Sequence, residues 1–233
     1  MQPQEIVRRL HSSRLFGHLP EELLTSIAKE TSLKQYTAGN YLWRAGEGAL
    51  HFTIIQTGLV EVRRPTPNGE GTMIGLFGPR ESVGDFAVLD VGTFPADAIA
   101  VSDTCDVLRV RSAPVIDTVR SQPRMAHAIN MSLVEHSKVL RTKIDVMSAG
   151  TVPKRLALFF THMIDRFGDE GEDGLVHIPV SLSRVQLSRL VGARVETVIR
   201  TLSKWQKDGW IETREDGFHL TSTEPLKALV ETD

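Results

Sequence analysis

The chain has 233 residues, 41% hydrophobic and 24% charged, with a formal net charge of −2. That length suits two small domains or one large one with a real core, and the near-neutral charge means that a nucleic acid or membrane must be held by a local patch. One cysteine, Cys105, excludes an internal disulfide and a four-cysteine metal cluster, while the lack of a long apolar run or signal-peptide core points to a cytoplasmic protein with no membrane partner.

Residues 5–32 read as helical. In PEELLTSIA, Pro20 takes a first helical position, two acids follow where the helix dipole favours them, and Leu23, Leu24 and Ile27 form one apolar face. Residues 33–111 read as short strands with glycine punctuation. FTIIQTGLVEVRR sets two β-rich runs around Thr57-Gly58, Asn68-Gly69 is a hairpin-turn signal, and ADAIAVSD and CDVLRVRS close the series. Strands at this spacing predict a small antiparallel barrel or sandwich.

After Pro123 the period changes. Ile129, Leu133, His136, Leu140, Ile144 and Met147 step by 4, 3, 4, 4 and 3 residues, the seam of paired helices. A helix lying on its own domain is the alternative; so narrow a seam on so long a helix favours a homodimer. Ser148-Ala149-Gly150 ends the helix and reads as a hinge.

Residues 151–233 are mainly helical. VPKRLALFFTHMIDRF is amphipathic. GDEGEDG, at 168–174, faintly echoes a calcium loop, but position 12 counted from Asp169 is Val180 rather than a bidentate acid, so it reads as a solvated loop. LVHIPV is a short strand, two helices follow, and WIETREDGFHLTS is a hairpin around Asp216-Gly217.

The two helices carry the chemistry. Leu187, Leu190 and Val191 belong to one apolar face and Val195, Val198, Ile199 and Leu202 to another, with Gly192 where a tight helix-turn-helix needs positive φ and Ser183 where the first helix needs a cap. Between Val180 and Gly209 stand six bases (Arg184, Arg189, Arg194, Arg200, Lys204, Lys207) against two acids, Glu196 and Asp208. Phosphate binding needs such a concentration, although a solvated basic face has the same composition. Glu196 and Arg200 lie four apart on one helix face, where they form an ordinary ion pair or read a G·C step together. Arginine donates to guanine O6 and N7, and glutamate accepts from cytosine N4. The strand pair that follows would add the wing of a winged helix.

In order and spacing these features resemble the cAMP receptor protein/FNR family of bacterial transcription regulators. The resemblance runs from about Leu15 to the C-terminus, through LFGHLPEELLTSIA, Tyr36 and Gly39, RAGE at 44–47, FTIIQTGLVEV, VGDFAVLD, the long helix, KRLA at 154–157 and LSRLVGARVETVIRTL. It implies an α+β chain with three parts: an N-terminal antiparallel β-roll, or cyclic-nucleotide-binding-like jelly roll (1–113), a dimerisation helix (114–148) and a C-terminal winged helix-turn-helix (149–233). Double-stranded DNA, a second copy of the chain and RNA polymerase are the implied partners.

By position, Glu196 and Arg200 resemble the family's base-reading residues. Ser183, Arg184, Arg194, Thr197 and Lys204 are expected on the DNA backbone. The residue before the glutamate separates two branches: the cAMP receptor protein has an arginine that reads a further guanine, whereas Val195 resembles FNR-type regulators and offers a thymine methyl an apolar contact. A TTGAN-like half-site in an inverted repeat is expected. Ile199 departs from FNR, which has a serine there, and leaves the outer bases open.

The sensor resemblance breaks down. Cyclic-nucleotide binders of the family resemble Gly-Glu followed about ten residues later by Arg-Ser/Thr-Ala. Here Gly84-Asp85-Phe86 is followed by Phe94-Pro95-Ala96-Asp97, with Pro95 in place of the phosphate-binding arginine and Asp97 beside it to repel a phosphate. The adenine contacts on the long helix align with Leu140 and Arg141. No functional cAMP response is expected, and with one cysteine an FNR-type iron–sulfur cluster is excluded. Haem stays open through His51 or His136; the alternatives are a hydrogen-bonded surface or strand histidine for His51 and a polar seam residue that fixes register for His136. An apolar effector, or none, is also open. No metal site and no enzyme motif is read: G-x-S-x-G, a phosphate loop and H-E-x-x-H are absent from the sequence. A cyclic-nucleotide-binding adaptor without DNA binding is a further alternative, disfavoured by the missing arginine and the basic helix.

Overall fold

The computed structural model describes residues 2–66, 71–171 and 175–231. The Asn68-Gly69 turn and the last part of the GDEGEDG segment lie outside the described residues. The chain divides into two compact units, 1–139 and 140–233.

The first unit opens with α1 (Pro3–His11) and α2 (Glu21–Lys29). Glu21 and Glu22 occupy the first turn of α2, and Leu24, Ile27 and Ala28 are its buried face; Pro20 is the cap residue rather than the first helical one. Among the described residues eight strands follow: β1 (Thr31–Tyr36), β2 (Tyr41–Trp43), β3 (His51–Thr57), β4 (Val60–Arg64), β5 (Thr72–Phe77), β6 (Ser82–Val83), β7 (Asp97–Ala100) and β8 (Cys105–Arg111). They form two antiparallel sheets, ordered β1-β8-β3-β6 and β2-β7-β4-β5. In β3, Phe52, Thr53, Ile54 and Ile55 are buried in succession. A half-exposed strand would alternate; β3 has both faces covered, and Phe52 meets Phe16, in the turn between α1 and α2, edge-on at 6.4 Å. β4 and β5 pair from Val60↔Phe77 to Arg64↔Thr72, as expected of the strands on either side of that turn.

Between β6 and β7, residues Ala87–Val91 make one wide helical turn. After β8 the chain does not enter a single helix. α3 (Ser112–Ser121) ends at Gln122, and α4 (Pro123–Ser148) begins with the proline whose fixed φ suits a first helical position. Met125, Ala128 and Ile129 of α4 join the core of the roll.

The second unit holds the end of α4, α5 (Val152–Phe167), β9 (Asp169–Glu170), β10 (Val176–Ile178), α6 (Arg184–Val191), α7 (Val195–Lys207), β11 (Ile211–Arg214), β12 (Gly217–Leu220) and α8 (Glu224–Glu231). Its sheet is ordered β11-β12-β10-β9. The acidic segment expected as a loop therefore begins with a short edge strand, because Asp169 and Glu170 pair with His177 and Val176. Phe160 centres the core, edge-on to Phe218 at 5.0 Å and to Trp205 at 6.2 Å. Helix α8 was missed by sequence reasoning; its period-3.6 signal is short, and Leu226 is its one fully buried anchor. No helix among the described residues is long and apolar enough to cross a membrane.

Candidate nucleic-acid interface and sensor pocket

Helix α6 starts at Ser183. Its hydroxyl accepts from the Gln186 backbone N–H at 3.2 Å, while Gln186 Oε1 accepts from the Ser183 N–H at 2.7 Å, a reciprocal cap that satisfies two orphan donors. The helix ends at Gly192, with φ 60° and ψ 49°, a left-handed conformation natural to glycine. A Cβ there would also lie 2.5 Å from the Met147 methyl. Two cations satisfy the carbonyls at this turn: Lys143 Nζ donates to Leu190 O at 2.6 Å, and Arg155 Nη1 to Val191 O at 3.3 Å. Neither was singled out in the sequence, because both lie outside the helix-turn-helix segment.

Helix α7 turns Val198, Thr201, Leu202 and Trp205 inward. Its opposite face exposes Glu196, Ile199, Arg200, Ser203, Lys204 and Lys207. The side chains of Glu196 and Arg200 make no hydrogen bond or ion pair among the described residues. The intrahelical pair that could have explained their spacing is not formed. Val195 and Thr197 are half-buried at the start of the helix, and Arg194, exposed, caps it with its backbone. Arg184 is half-buried; its Nη2 donates to Thr213 Oγ1 on β11 at 2.9 Å, and burial lowers its pKa, although a guanidinium stays charged. It braces the β11–β12 hairpin against α6. On that hairpin Arg214 and Glu212 form an ion pair at 2.8 Å.

In the roll, the residues expected to hold an effector are differently placed. Gly84 lies against the Trp43–Phe94 stack, whose centroids are 4.0 Å apart; a Cβ at Gly84 would be 2.8 Å from Phe94 and 3.0 Å from Trp43. Aromatic carbon therefore fills the space next to the glycine. Ala96 is buried and its carbonyl accepts from Trp43 Nε1 at 3.0 Å, whereas Phe86 and Pro95 are exposed. Asp97 has a structural role besides the repulsive one expected: it is buried and its carboxylate accepts from the Ala45 N–H at 2.9 Å. Leu140 and Arg141, expected with these residues, are exposed in the second unit.

Asp85 is wholly buried. Its Oδ2 accepts from Ser82 Oγ at 2.5 Å and from Ser132 Oγ on α4, and lies 4.0 Å from His136 Nε2. Nε2 of His136 donates to the Ser82 carbonyl at 2.9 Å, which assigns the proton to that nitrogen. The second carboxylate oxygen, Oδ1, has no hydrogen-bond partner among the described residues. His51 is held as well, its Nδ1 accepting from Arg109 at 3.1 Å, and its pKa is lowered by burial and by Arg109 and Arg111. Burial pushes the Cys105 thiol up to about 11, so it is a protonated core residue.

The seam of α4 divides. Ile129 is buried in the roll, Leu133 packs against the same core, and His136 bonds to β6; this half follows the own-domain alternative. Leu140, Ile144 and Met147 are 49%, 65% and 39% exposed. Met131 and Val134, outside the expected seam, are exposed too. The spacing defines one face, but it cannot say how far the chain's own roll covers it.

A two-sheet roll, a long helix and a helix-turn-helix with a strand hairpin define a sensor-controlled DNA-binding regulator. Residues 33–122 match the cyclic nucleotide-binding domain family, and residues 154–229 match the Crp-like helix-turn-helix domain family. A CRP-like cAMP-activated global transcriptional regulator of Mycobacterium tuberculosis is 22% identical over 212 residues, covering 91% of this chain and 94% of that protein. The transcriptional activator Anr of Pseudomonas aeruginosa is 23% identical, covering 82% and 77%. The solved structure of FixK2 from Bradyrhizobium japonicum superposes with a TM-score of 0.73 at 19% identity, covering 87% of this chain and 98% of that one. The chain belongs to the CRP/FNR family of transcription regulators. It is an effector-controlled DNA-binding regulator.

Proposed function

We propose that this regulator binds, as a homodimer, an inverted repeat of TTGAN-like half-sites, and that its effector is not cAMP. The observation that carries the proposal is the outer face of α7, where Glu196 and Arg200 are exposed, adjacent and unpaired. In a major groove, Arg200 donates to guanine O6 and N7, Glu196 accepts from cytosine N4, and Val195 meets a thymine methyl. Ile199 adds apolar contact beside them. Ser183, Arg194, Thr197 and Lys204 position the helix on phosphates, and Arg184 sets the wing. Leu140 and Ile144 supply apolar surface for a second copy, whose recognition helix would then lie about 34 Å away, one DNA turn. At promoters RNA polymerase is the proposed further partner.

Three features disfavour cAMP: Pro95 stands where the phosphate arginine belongs, Phe94 and Trp43 crowd Gly84, and Asp85 is tied to Ser82 and Ser132. Those bonds also link the roll to α4, so a signal that alters the Asp85 network would reach the helix that carries the dimer surface. His51 and His136 are both hydrogen-bonded, which favours their structural reading over haem ligation.

A mobility-shift assay on a TTGAN inverted-repeat duplex, titrated against salt, tests the reading. Affinity should fall steeply with salt while the preference over scrambled duplex survives. Unchanged preference in Glu196→Ala and Arg200→Ala would refute it.

A further inference from the structure

Strand β10 and the hairpin that follows α7 carry a group of side chains that the proposed base-reading does not use. His177 on β10 and His219 on β12 are register partners, so they share one face of the sheet, and their rings stack with centroids 4.4 Å apart and planes 18° from parallel. This is the face opposite Ile178, Phe218 and Leu220, which are buried in the core. Asp216, at the turn before β12, brings its carboxylate to the Nε2 atoms of both rings. His219 Nε2 lies 3.1 Å from its Oδ1, and His177 Nε2 lies 3.5 Å from its Oδ2. The donor atoms of all three residues fall within 4.8 Å of one another. The next positions along the same cross-strand row are acidic: Asp169 pairs with His177 and Glu212 with His219.

We propose that His177, Asp216 and His219 form a binding site for a divalent cation of the zinc class on the outer face of the wing. Two imidazole nitrogens and a carboxylate are a borderline donor set that suits zinc and its first-row neighbours better than magnesium or calcium, which prefer all-oxygen shells. Ligand bonds of about 2.0–2.2 Å at a tetrahedral ion put donor atoms about 3.3 Å apart. The two carboxylate–imidazole separations, 3.1 and 3.5 Å, already bracket that length. A short adjustment of the stacked rings would complete a three-residue site with a fourth position open to solvent, because Asp216 is 59% exposed. Asp169, the register partner of His177, adds negative charge that favours a cation, whereas the charge of Glu212 is taken up by Arg214. The bound ion would cross-link β10, β12 and the turn between β11 and β12, fixing the wing's tip. The site stands on β10 and the β11–β12 hairpin and does not depend on how α7 reads bases.

The test uses the full chain, stripped with chelator and titrated with zinc chloride by calorimetry. Cobalt(II) absorption serves as an independent report of coordination. One ion per chain is expected, with a tetrahedral cobalt spectrum of nitrogen and oxygen ligation. His177→Gln and Asp216→Asn should each weaken binding at least tenfold while circular dichroism and Tm without metal stay near wild type. His219 is the most enclosed of the three, so its variant is not relied on. Absence of saturable binding by the wild type, or full-affinity binding by both folded variants, overturns the proposal.

Discussion

The roll and the recognition helix treat their polar side chains in opposite ways. In the roll, Asp85 is closed in by Ser82 and Ser132, Asp97 holds the Ala45 N–H, His136 bonds to the Ser82 carbonyl and His51 accepts from Arg109. On α7, Glu196, Arg200 and Lys204 face outward and bond to nothing among the described residues, while Ser183, Gln186, Lys143, Arg155 and Arg184 hold the frame around them. Groups engaged inside the fold set its geometry and couple its parts. Groups left free beside a rigid frame meet another molecule without first breaking internal bonds.

The strongest way to break this comparison is to remove the proposed dimer. Leu140→Asp with Ile144→Asp places charge on exposed apolar positions, so the monomer should fold normally. Burial of each side chain at an interface is worth about 1.5–3 kcal/mol, and its replacement by a carboxylate reverses the sign. Analytical ultracentrifugation should show monomer, with DNA affinity down at least a hundredfold; a monomer that binds DNA at full strength would contradict the account. Leu133 is unsuitable for this test, because it packs on the chain's own roll.

Next come the free side chains themselves. Arg200→Ala and Glu196→Ala should each cost about 1–3 kcal/mol of base discrimination, read by competition binding, with stability inside ~0.5 kcal/mol of wild type. The engaged side chains should do the reverse. Ser132→Ala removes a donor from a buried carboxylate and should lower unfolding free energy by about 1.5–3 kcal/mol in denaturant titration, without changing the preferred bases. Ser183→Ala should cost about 1 kcal/mol through its lost cap, with a small uniform loss of DNA affinity. The smallest expected signal is for cAMP: calorimetry at micromolar nucleotide should give no binding heat, and saturable micromolar binding would reverse the sensor reading.

Much of the fold was legible in the sequence because its signals are local. Pro123 marks the start of α4, the acids of PEELLTSIA mark α2, and Ser183 with Gly192 brackets α6. The Glu196–Arg200 spacing placed both side chains on one exposed face of α7, although letters alone could not separate a free pair from an ion pair. Features set by tertiary packing were not legible. Whether Ile129 and Leu133 face a partner or the roll depends on where β6 lies, and the closure of Asp85 by Ser132 joins residues 47 apart in sequence. Asp169 and Glu170 look like solvated loop residues until β10 offers them an edge. The histidine pair on the wing was hidden for the same reason, since His177 and His219 meet only through strand register.

The central claim is that Val195, Glu196 and Arg200 read the half-site. Selection of binding sites from random duplex DNA, run with wild type and Val195→Arg, tests it most directly. The account predicts inverted repeats of TTGAN for the wild type and a shift toward TGTGA-type half-sites for the variant. TGTGA-type sites recovered by the wild type, or an identical motif from both proteins, would contradict it.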